Sequence, residues 1–116
     1  MKPVIVFHNP RWSKSRQALA LLDSRGIQYK TFLYLEHEIS YEELVRILGL
    51  LKIKPRDILR VKEKEYLENN LNNMDLTDEE IIKILLQNRK LIERPIAIKG
   101  EKAVIARPPE KVFQVL

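Results

Sequence analysis

The chain has 116 residues, of which 45% are hydrophobic and 32% charged, and it carries a net charge of +5, two histidines and no cysteine. This length suits one domain with a single core. The lack of cysteine excludes disulfides, thiolate metal sites and thiol catalysis, and two widely separated histidines argue against any metal site.

The basic excess points to an anionic partner, but its distribution argues against a nucleic acid. Lysines and arginines are spread along the chain with glutamates between them, so a small anion fits the charge better than nucleic acid does. No apolar run approaches the roughly 20 residues of a membrane span. The first residues lead directly into an apolar run and lack a signal-peptide pattern. We therefore expect a cytoplasmic protein without membrane or nucleic-acid contacts.

The first third predicts a strand, a helix and a strand. Residues 3–7 form an apolar run suited to a strand buried on both faces. Ser13 is the predicted N-cap of a helix over residues 14–25, and Gly26 is its predicted C-terminal cap. Residues 27–35 are rich in strand formers. This strand–helix–strand order with tight connections implies parallel strands.

The middle of the chain predicts helices. Residues 40–43 and 77–80 both have the pattern of a capping box, each ahead of an apolar helical run. Pro55 predicts the start of a short helix, and residues 63–67 are weakly helical. Residues 69–73 contain four asparagines, which is typical of a loop.

The last third predicts a hairpin and a terminal helix. Residues 91–98 read as a strand interrupted by Pro95, followed by a turn at 99–102 and a second strand at 103–105. Residues 110–116 read as a short helix.

The complete order of elements predicts an α/β protein of the thioredoxin-like plan. A βαβ half is followed by a ββα half, with helices between them. We expect one domain over residues 1–116, with a helical insertion at about residues 40–90.

The turn between the first strand and the first helix is the strongest candidate site. A strand that breaks through Asn-Pro into a helix N-terminus presents unpaired N–H groups and a positive dipole end to an anion. An ordinary connecting loop is the alternative. Trp12, at its centre, has no nucleophilic chemistry. Further donor or cationic groups come from His8, Arg11, Lys14 and Arg16.

Three arginines beside turns or strand breaks extend this interpretation. Arg60 follows an apolar helical pair, and taken alone it is typical of a solvated arginine. Arg94 precedes Pro95, and a proline within a strand pattern indicates a kink, an edge or a cis bond. Arg107 leaves a strand into a loop. Planar guanidinium groups bind tetrahedral oxyanions well, but only the fold plan suggests that these three converge.

Four motifs together resemble the glutaredoxin-linked arsenate reductase family over essentially the whole chain. They are His8-Asn9-Pro10-Arg11-x-Ser13-Lys14-Ser15-Arg16, Lys54-Pro55-Arg56-Asp57-x-x-Arg60, Ile92-Glu93-Arg94-Pro95-Ile96 and Arg107-Pro108-Pro109-Glu110-Lys111-Val112.

The resemblance implies a thioredoxin-like fold and an oxyanion site for arsenate, phosphate or sulfate. In the family, a cysteine at the position of Trp12 attacks arsenic as a thiolate, and His8 helps to tune that thiolate. Glutathione and glutaredoxin then complete the reduction, with no bound cofactor. The implied oxyanion-binding residues are Arg60, Arg94 and Arg107, with Asn9, Arg11, Ser13 and Ser15 in the opening loop, and the implied cis-proline is Pro95.

This chain departs from the family pattern at its most important position. The Trp12 indole has no ionisable thiol, and the hydroxyls of Ser13 and Ser15 cannot form the disulfide that regenerates the enzyme. We therefore expect a retained oxyanion site without arsenate reduction. Trp12 has four competing explanations: natural loss of the reaction, an engineered change or sequence error, a ring that plugs the anion pocket, and a stacking or partner-contact surface.

An alternative function belongs to a different class. Spx-like regulators, a sister group with the same fold, bind RNA polymerase and sense redox state through a CxxC pair. Trp12 and Ser15 occupy those two positions here, so redox sensing is excluded while a binding role is still open.

Overall fold

The computed structural model describes residues 2–116, which fall into two compact units. The first unit combines the residues up to His37 with Arg94–Leu116, and the second is Glu38–Glu93. None of the helices formed by residues 2–116 has both the length and the apolar character that crossing a membrane requires. The expected single domain with an insertion at about 40–90 stays a prediction.

The first unit contains a four-stranded sheet with the strand order β2-β1-β3-β4. β1 pairs with β2 in parallel, whereas β3 runs antiparallel to both β1 and β4. This arrangement confirms the predicted thioredoxin-like α/β fold. Its elements are β1 (Val4–Phe7), α1 (Ser13–Ser24), β2 (Tyr29–Phe32), β3 (Ile96–Lys99), β4 (Lys102–Ile105) and a terminal 3-10 helix (Pro109–Val115).

The core of the first unit explains the side-chain pattern of β1. Val4 and Val6 are buried, but Ile5 between them is 39% exposed, so the prediction of a strand buried on both faces was wrong. Successive side chains of a strand point to opposite faces, so Val4 and Val6 share one face and Ile5 lies on the other. α1 and the terminal 3-10 helix pack against each other. The buried cluster consists of Val4, Val6, Ala18, Leu22, Ala97, Ala106, Val112 and Val115.

The start of α1 lies one residue earlier than the sequence indicated. Trp12 is the N-cap, with an extended backbone (φ −106°, ψ 126°), and Ser13 is already helical. The prediction of Ser13 as the cap was therefore wrong, because propensity alone does not reveal where the preceding turn ends. At the other end, Gly26 has φ +64°, which confirms the predicted glycine cap.

The second unit is helical, as predicted. α4 packs against α2 and against both 3-10 segments of this unit. Ser40 and Thr77 are N-caps whose side chains accept from the N–H groups of Glu43 and Glu80. The elements are α2 (Tyr41–Leu51), the 3-10 segment Pro55–Ile58, α3 (Lys64–Glu68), α4 (Asp78–Gln87) and the 3-10 segment Arg89–Leu91.

Arg56 holds the asparagine-rich loop of the second unit. Its Nη1 donates to the Leu71 carbonyl at 2.7 Å and its Nη2 to the Asn73 carbonyl at 3.0 Å. This arginine lies in one of the motifs that carry the family resemblance, and its contacts give it a structural role.

Two predictions near the C-terminus need correction. Of the strand predicted over 91–98, only residues 96–98 belong to β3, which extends to Lys99 in the predicted turn; Leu91 ends a 3-10 segment, and Ile92 makes a single bridge with Leu59. The terminal segment is a 3-10 helix that begins at Pro109. Proline lacks an N–H group, which limits ladder pairing around residue 95. The β3–β4 hairpin is confirmed.

Candidate functional site

The opening turn, residues 8–12, connects β1 to α1, and hydrogen bonds from its own residues, from β2 and from α1 hold its backbone. The His8 N–H donates to the Phe32 carbonyl at 2.9 Å, which extends the pairing of β1 with β2. Asn9 Oδ1 accepts from the Arg11 N–H at 3.0 Å, and the Asn9 carbonyl accepts from the Trp12 N–H at 3.1 Å. Asparagine favours such turns because its short side chain bonds the backbone two residues on. These hydrogen bonds position the Cα atom of Trp12.

A buried pair, His8 and Ser15, ties the turn to α1. His8 Nδ1 lies 2.5 Å from Ser15 Oγ, which also accepts from the Asn9 N–H at 3.1 Å. Ser15 is fully buried and His8 is 8% exposed. A hydroxyl has one proton and two acceptor positions, so Ser15 can accept from Asn9 and donate to a neutral His8 at once.

The environment of His8 favours that neutral form. Burial removes water from the ring and lowers the pKa of His8, and the positive charge of Arg16 lowers the same pKa further. Both causes act against the imidazolium ion. His8 is therefore a neutral hydrogen-bonding group at pH 7.

Three cationic residues, Arg11, Lys14 and Arg16, belong to the opening turn and the first turn of α1. Arg16 Nη1 donates to the Pro10 carbonyl at 2.9 Å, so this guanidinium steadies the turn. Arg11, Ser13 and Lys14 are exposed. Together with the positive end of the α1 dipole they make this end of the helix attractive to anions.

Trp12 contacts Arg94, which comes from the segment before β3. The Arg94 guanidinium lies over the face of the Trp12 ring, and Arg94 is only 3% exposed. The contact is a cation–π interaction, in which the negative ring face attracts the cation. The structure therefore brings two of the predicted site residues, Trp12 and Arg94, together.

Pro95 and Arg107 lie on adjacent backbone segments of the first unit. The Arg94–Pro95 bond is cis, and the Pro95 carbonyl accepts from the Ala106 N–H at 2.8 Å. Arg107 follows Ala106 directly and is exposed. The Arg107–Pro108 bond is also cis, which the sequence analysis missed although the Arg-Pro-Pro run was its one signal.

Arg60 belongs to the second unit, where its environment differs. Its backbone N–H donates to the Leu91 carbonyl at 2.8 Å, and its guanidinium donates to Glu63 Oε1 at 2.5 Å. Its meeting with Arg94 and Arg107 stays a prediction. Within residues 2–116, no three His, Asp or Glu side chains come together in a way that could hold a metal ion.

Two contacts of the site were invisible in the sequence. The Trp12–Arg94 contact joins residues from opposite ends of the chain, and no local pattern signals it. The His8–Ser15 bond spans seven residues across a strand-to-helix turn, where helical and strand periodicities both fail.

Comparisons with known proteins agree on one family. The ArsC family profile matches residues 7–115. A Haemophilus influenzae protein named arsenate reductase is 46% identical over 114 residues, covering 97% of this chain and 98% of its own length. An uncharacterized Escherichia coli protein, YfgD, is 41% identical and covers 99% of this chain and 98% of its own length. The solved arsenate reductase from Vibrio cholerae has a TM-score of 0.95 at 40% identity, covering 99% of this chain and 98% of its own.

Proposed function

Since the chain belongs to the ArsC family, we propose that it is a non-reducing member that binds tetrahedral oxyanions. The observation that carries this proposal is the tryptophan at position 12 in a chain without cysteine. Reduction of arsenate needs a thiolate that attacks arsenic and then two electrons from thiols. An indole supplies neither.

The open end of α1 supports anion binding. The indole side chain of its N-cap, Trp12, makes no cap hydrogen bond, because it has an N–H donor and no oxygen that could accept from the first-turn N–H groups. The following residues, Ser13, Lys14, Ser15 and Arg16, include two cations and no acid. Uncapped N–H groups, the helix dipole and nearby cations all favour the same kind of ligand.

The proposed ligands are arsenate, phosphate and sulfate. Arg94 and Arg107 are the proposed anion contacts in the first unit, because guanidinium forks match tetrahedral oxyanions. Arg60 enters the proposal through the family resemblance, and an anion there would compete with the Glu63 carboxylate that now accepts from it. Neutral His8 is proposed to keep the turn in place through Ser15.

Anion titration at low ionic strength tests the binding half of the proposal. Phosphate, added to the intact protein at constant pH, should shift the amide NMR signals of Ser13, Lys14 and Ser15. Arg94→Met should weaken that response. Arg25→Met is the matched control, since Arg25 lies over the Phe113 ring at 3.7 Å on the same unit but outside the opening turn. Absence of any shift, or equal loss in both variants, would contradict the binding proposal.

A reductase assay tests the chemical half. The wild-type chain should produce no arsenite with glutathione and glutaredoxin, whereas Trp12→Cys should gain activity. The new thiol should titrate below the ordinary value of about 8.5, because the helix N-terminus and the nearby cations favour a thiolate. A wild-type protein that produces arsenite would overturn the proposal. An introduced thiol that titrates at the ordinary value would count against a preorganised site.

The alternative function, a regulator that contacts RNA polymerase, stays a prediction. No contact described for residues 2–116 favours it. A pull-down from the native cytoplasm separates the two functions, because recovery of polymerase subunits would support the regulator.

A further inference from the structure

We propose that the Trp12 side chain competes with the anion for the guanidinium of Arg94 and so sets the affinity of the site. The inference rests on the proposed oxyanion-binding function and adds the residue that limits it. Trp12 is then a residue that limits the affinity of the anion site.

The contact is built into the fold from both sides. Trp12 donates its backbone N–H to the Asn9 carbonyl at 3.1 Å, and its own carbonyl accepts from the Arg16 N–H at 3.0 Å. On the other side, Arg94 leads into Pro95, whose carbonyl accepts from the Ala106 N–H. The backbone of Trp12 and the residue that follows Arg94 are therefore both held by hydrogen bonds.

Burial makes this contact matter for binding. Arg94 is 3% exposed, whereas Arg25, which lies over the Phe113 ring in the same unit, is exposed. A cation–π interaction strengthens as water is removed from the cation. The contact with Trp12 is therefore expected to stabilise Arg94 more than the Phe113 ring stabilises Arg25.

The positive charge of Arg94 cannot interact at full strength with the Trp12 ring and with an anion at the same time. The ring attracts Arg94 because the guanidinium is positive, and an oxyanion bound to the fork cancels much of that charge. The indole covers one face of the guanidinium and leaves the in-plane N–H edge for an anion, so the two compete for the charge and not for space. Anion binding therefore weakens the stack, and by thermodynamic reciprocity the stack weakens anion binding.

The size of the effect follows from the strength of cation–π contacts. Exposed and desolvated examples bracket a range that corresponds to roughly a 2- to 30-fold change in affinity. Burial of Arg94 favours the upper part of this range.

The test compares phosphate affinity in the wild-type protein, Trp12→Phe and Trp12→Ala, measured by amide NMR titration at low ionic strength. Trp12→Ala should bind phosphate roughly 2- to 30-fold more tightly, and Trp12→Phe should lie between it and the wild type. Phe113→Ala, which removes the ring beneath Arg25, is the matched control and should change the affinity less than about twofold. Since the sequence has one tryptophan, wild-type fluorescence should change with the same phosphate midpoint.

The failures of the two proposals are distinguishable. If the wild type binds phosphate and Trp12→Ala binds it equally or more weakly, the competition is refuted and the oxyanion site survives. If neither the wild type nor any variant binds phosphate, the proposed function fails and the competition fails with it. Should Trp12→Ala not fold, a Trp12→Phe affinity at or below that of the wild type refutes the competition.

Discussion

The N-termini of α1 and α4 solve the same problem in opposite ways. At α4, Thr77 Oγ1 accepts from the Glu80 N–H at 3.1 Å, and Glu80 Oε1 accepts from the Thr77 N–H at 2.9 Å. At α1, the N-cap is Trp12, whose indole cannot accept a hydrogen bond.

The charged residues of the two first turns differ in the same way. The first turn of α4 contains three acids, which favour the positive end of the helix dipole, so this end is complete in itself. The first turn of α1 contains a lysine and an arginine, and its buried hydroxyl, Ser15, is engaged with His8 and Asn9. The N-terminus of α4 is stabilised by its own side chains, whereas that of α1 has no side-chain cap and is the end proposed to bind an anion.

The largest expected effects arise from the apolar faces of the two helices. Here α1 and α4 should behave alike, with similar losses of unfolding free energy. Leu22 of α1 and Leu85 of α4 are both fully buried. Leu22→Ala and Leu85→Ala should each lower the free energy of unfolding by about 2–5 kcal/mol, through lost transfer energy and a cavity. Urea denaturation measures this. A loss below about 1 kcal/mol in either would mean that the helix is held by something other than its buried face.

The next prediction compares the loss of stability on removing a buried hydroxyl and an exposed hydroxyl of α1. Ser15→Ala removes the hydroxyl that bonds His8 and the Asn9 N–H, so we expect a loss of about 1–3 kcal/mol for buried polar groups left unpaired. Ser24→Ala is the control on the same helix: its exposed hydroxyl donates to the Leu21 carbonyl, and its loss should be within about 0.5 kcal/mol. Equal unfolding midpoints for the two variants would contradict the structural role of Ser15.

A smaller effect is expected at the α4 end. Thr77→Ala removes one half of the capping box and should cost about 1 kcal/mol of unfolding free energy. Phosphate binding should be unaffected, because this helix end already satisfies its own donors. A change in phosphate affinity in this variant would break the contrast between the two helix ends.

The two helix ends should also differ in the pH dependence of stability. Because burial and Arg16 lower the pKa of His8 from 6.5, the unfolded chain takes up this proton at a higher pH than the folded chain. Stability should therefore fall as the pH drops below about 6.5 and level off below the folded pKa, with a slope of at most about 1.4 kcal/mol per pH unit. Urea unfolding of the wild type and His8→Asn at several pH values measures this slope.

The α4 end should respond in a separate pH window. Hydrogen bonds from Thr77 lower the pKa of Glu80 from 4.5, so its stabilising effect is present above that value and is lost as the pH falls through the folded pKa. Glu80→Gln should flatten the acid part of the curve and leave the histidine-dependent part unchanged. A single slope that His8→Asn leaves intact would refute the assignment to His8.

Local chemistry explains why much of the fold could be predicted. Ser40 and Thr77 cap their helices through contacts within three residues, and Gly26 and Gly100 adopt the positive φ angles of turns. Each of these features depends on residues that are neighbours in sequence. The βαβ and ββα order then followed from the tight connections between elements.

The wrong predictions concern residues whose structure depends on contacts in space more than on local propensity. Ser13 has the better capping side chain, but the Asn9 turn places Trp12 at the cap position. Ile5 is as apolar as Val4 and Val6, yet one face of β1 is partly open. Arg56 belonged to a motif associated with function, and only its bonds to a distant loop identify it as structural.

The sequence by itself determined that this protein cannot perform thiol chemistry, because composition decides whether a thiolate exists. It also determined the family and the order of the elements, through local patterns and motifs. Only the tertiary structure showed that the Arg94 guanidinium contacts the Trp12 ring and that Ser15 is hydrogen-bonded to His8. Such contacts depend on how separate segments pack in space, and no periodicity along the chain records that.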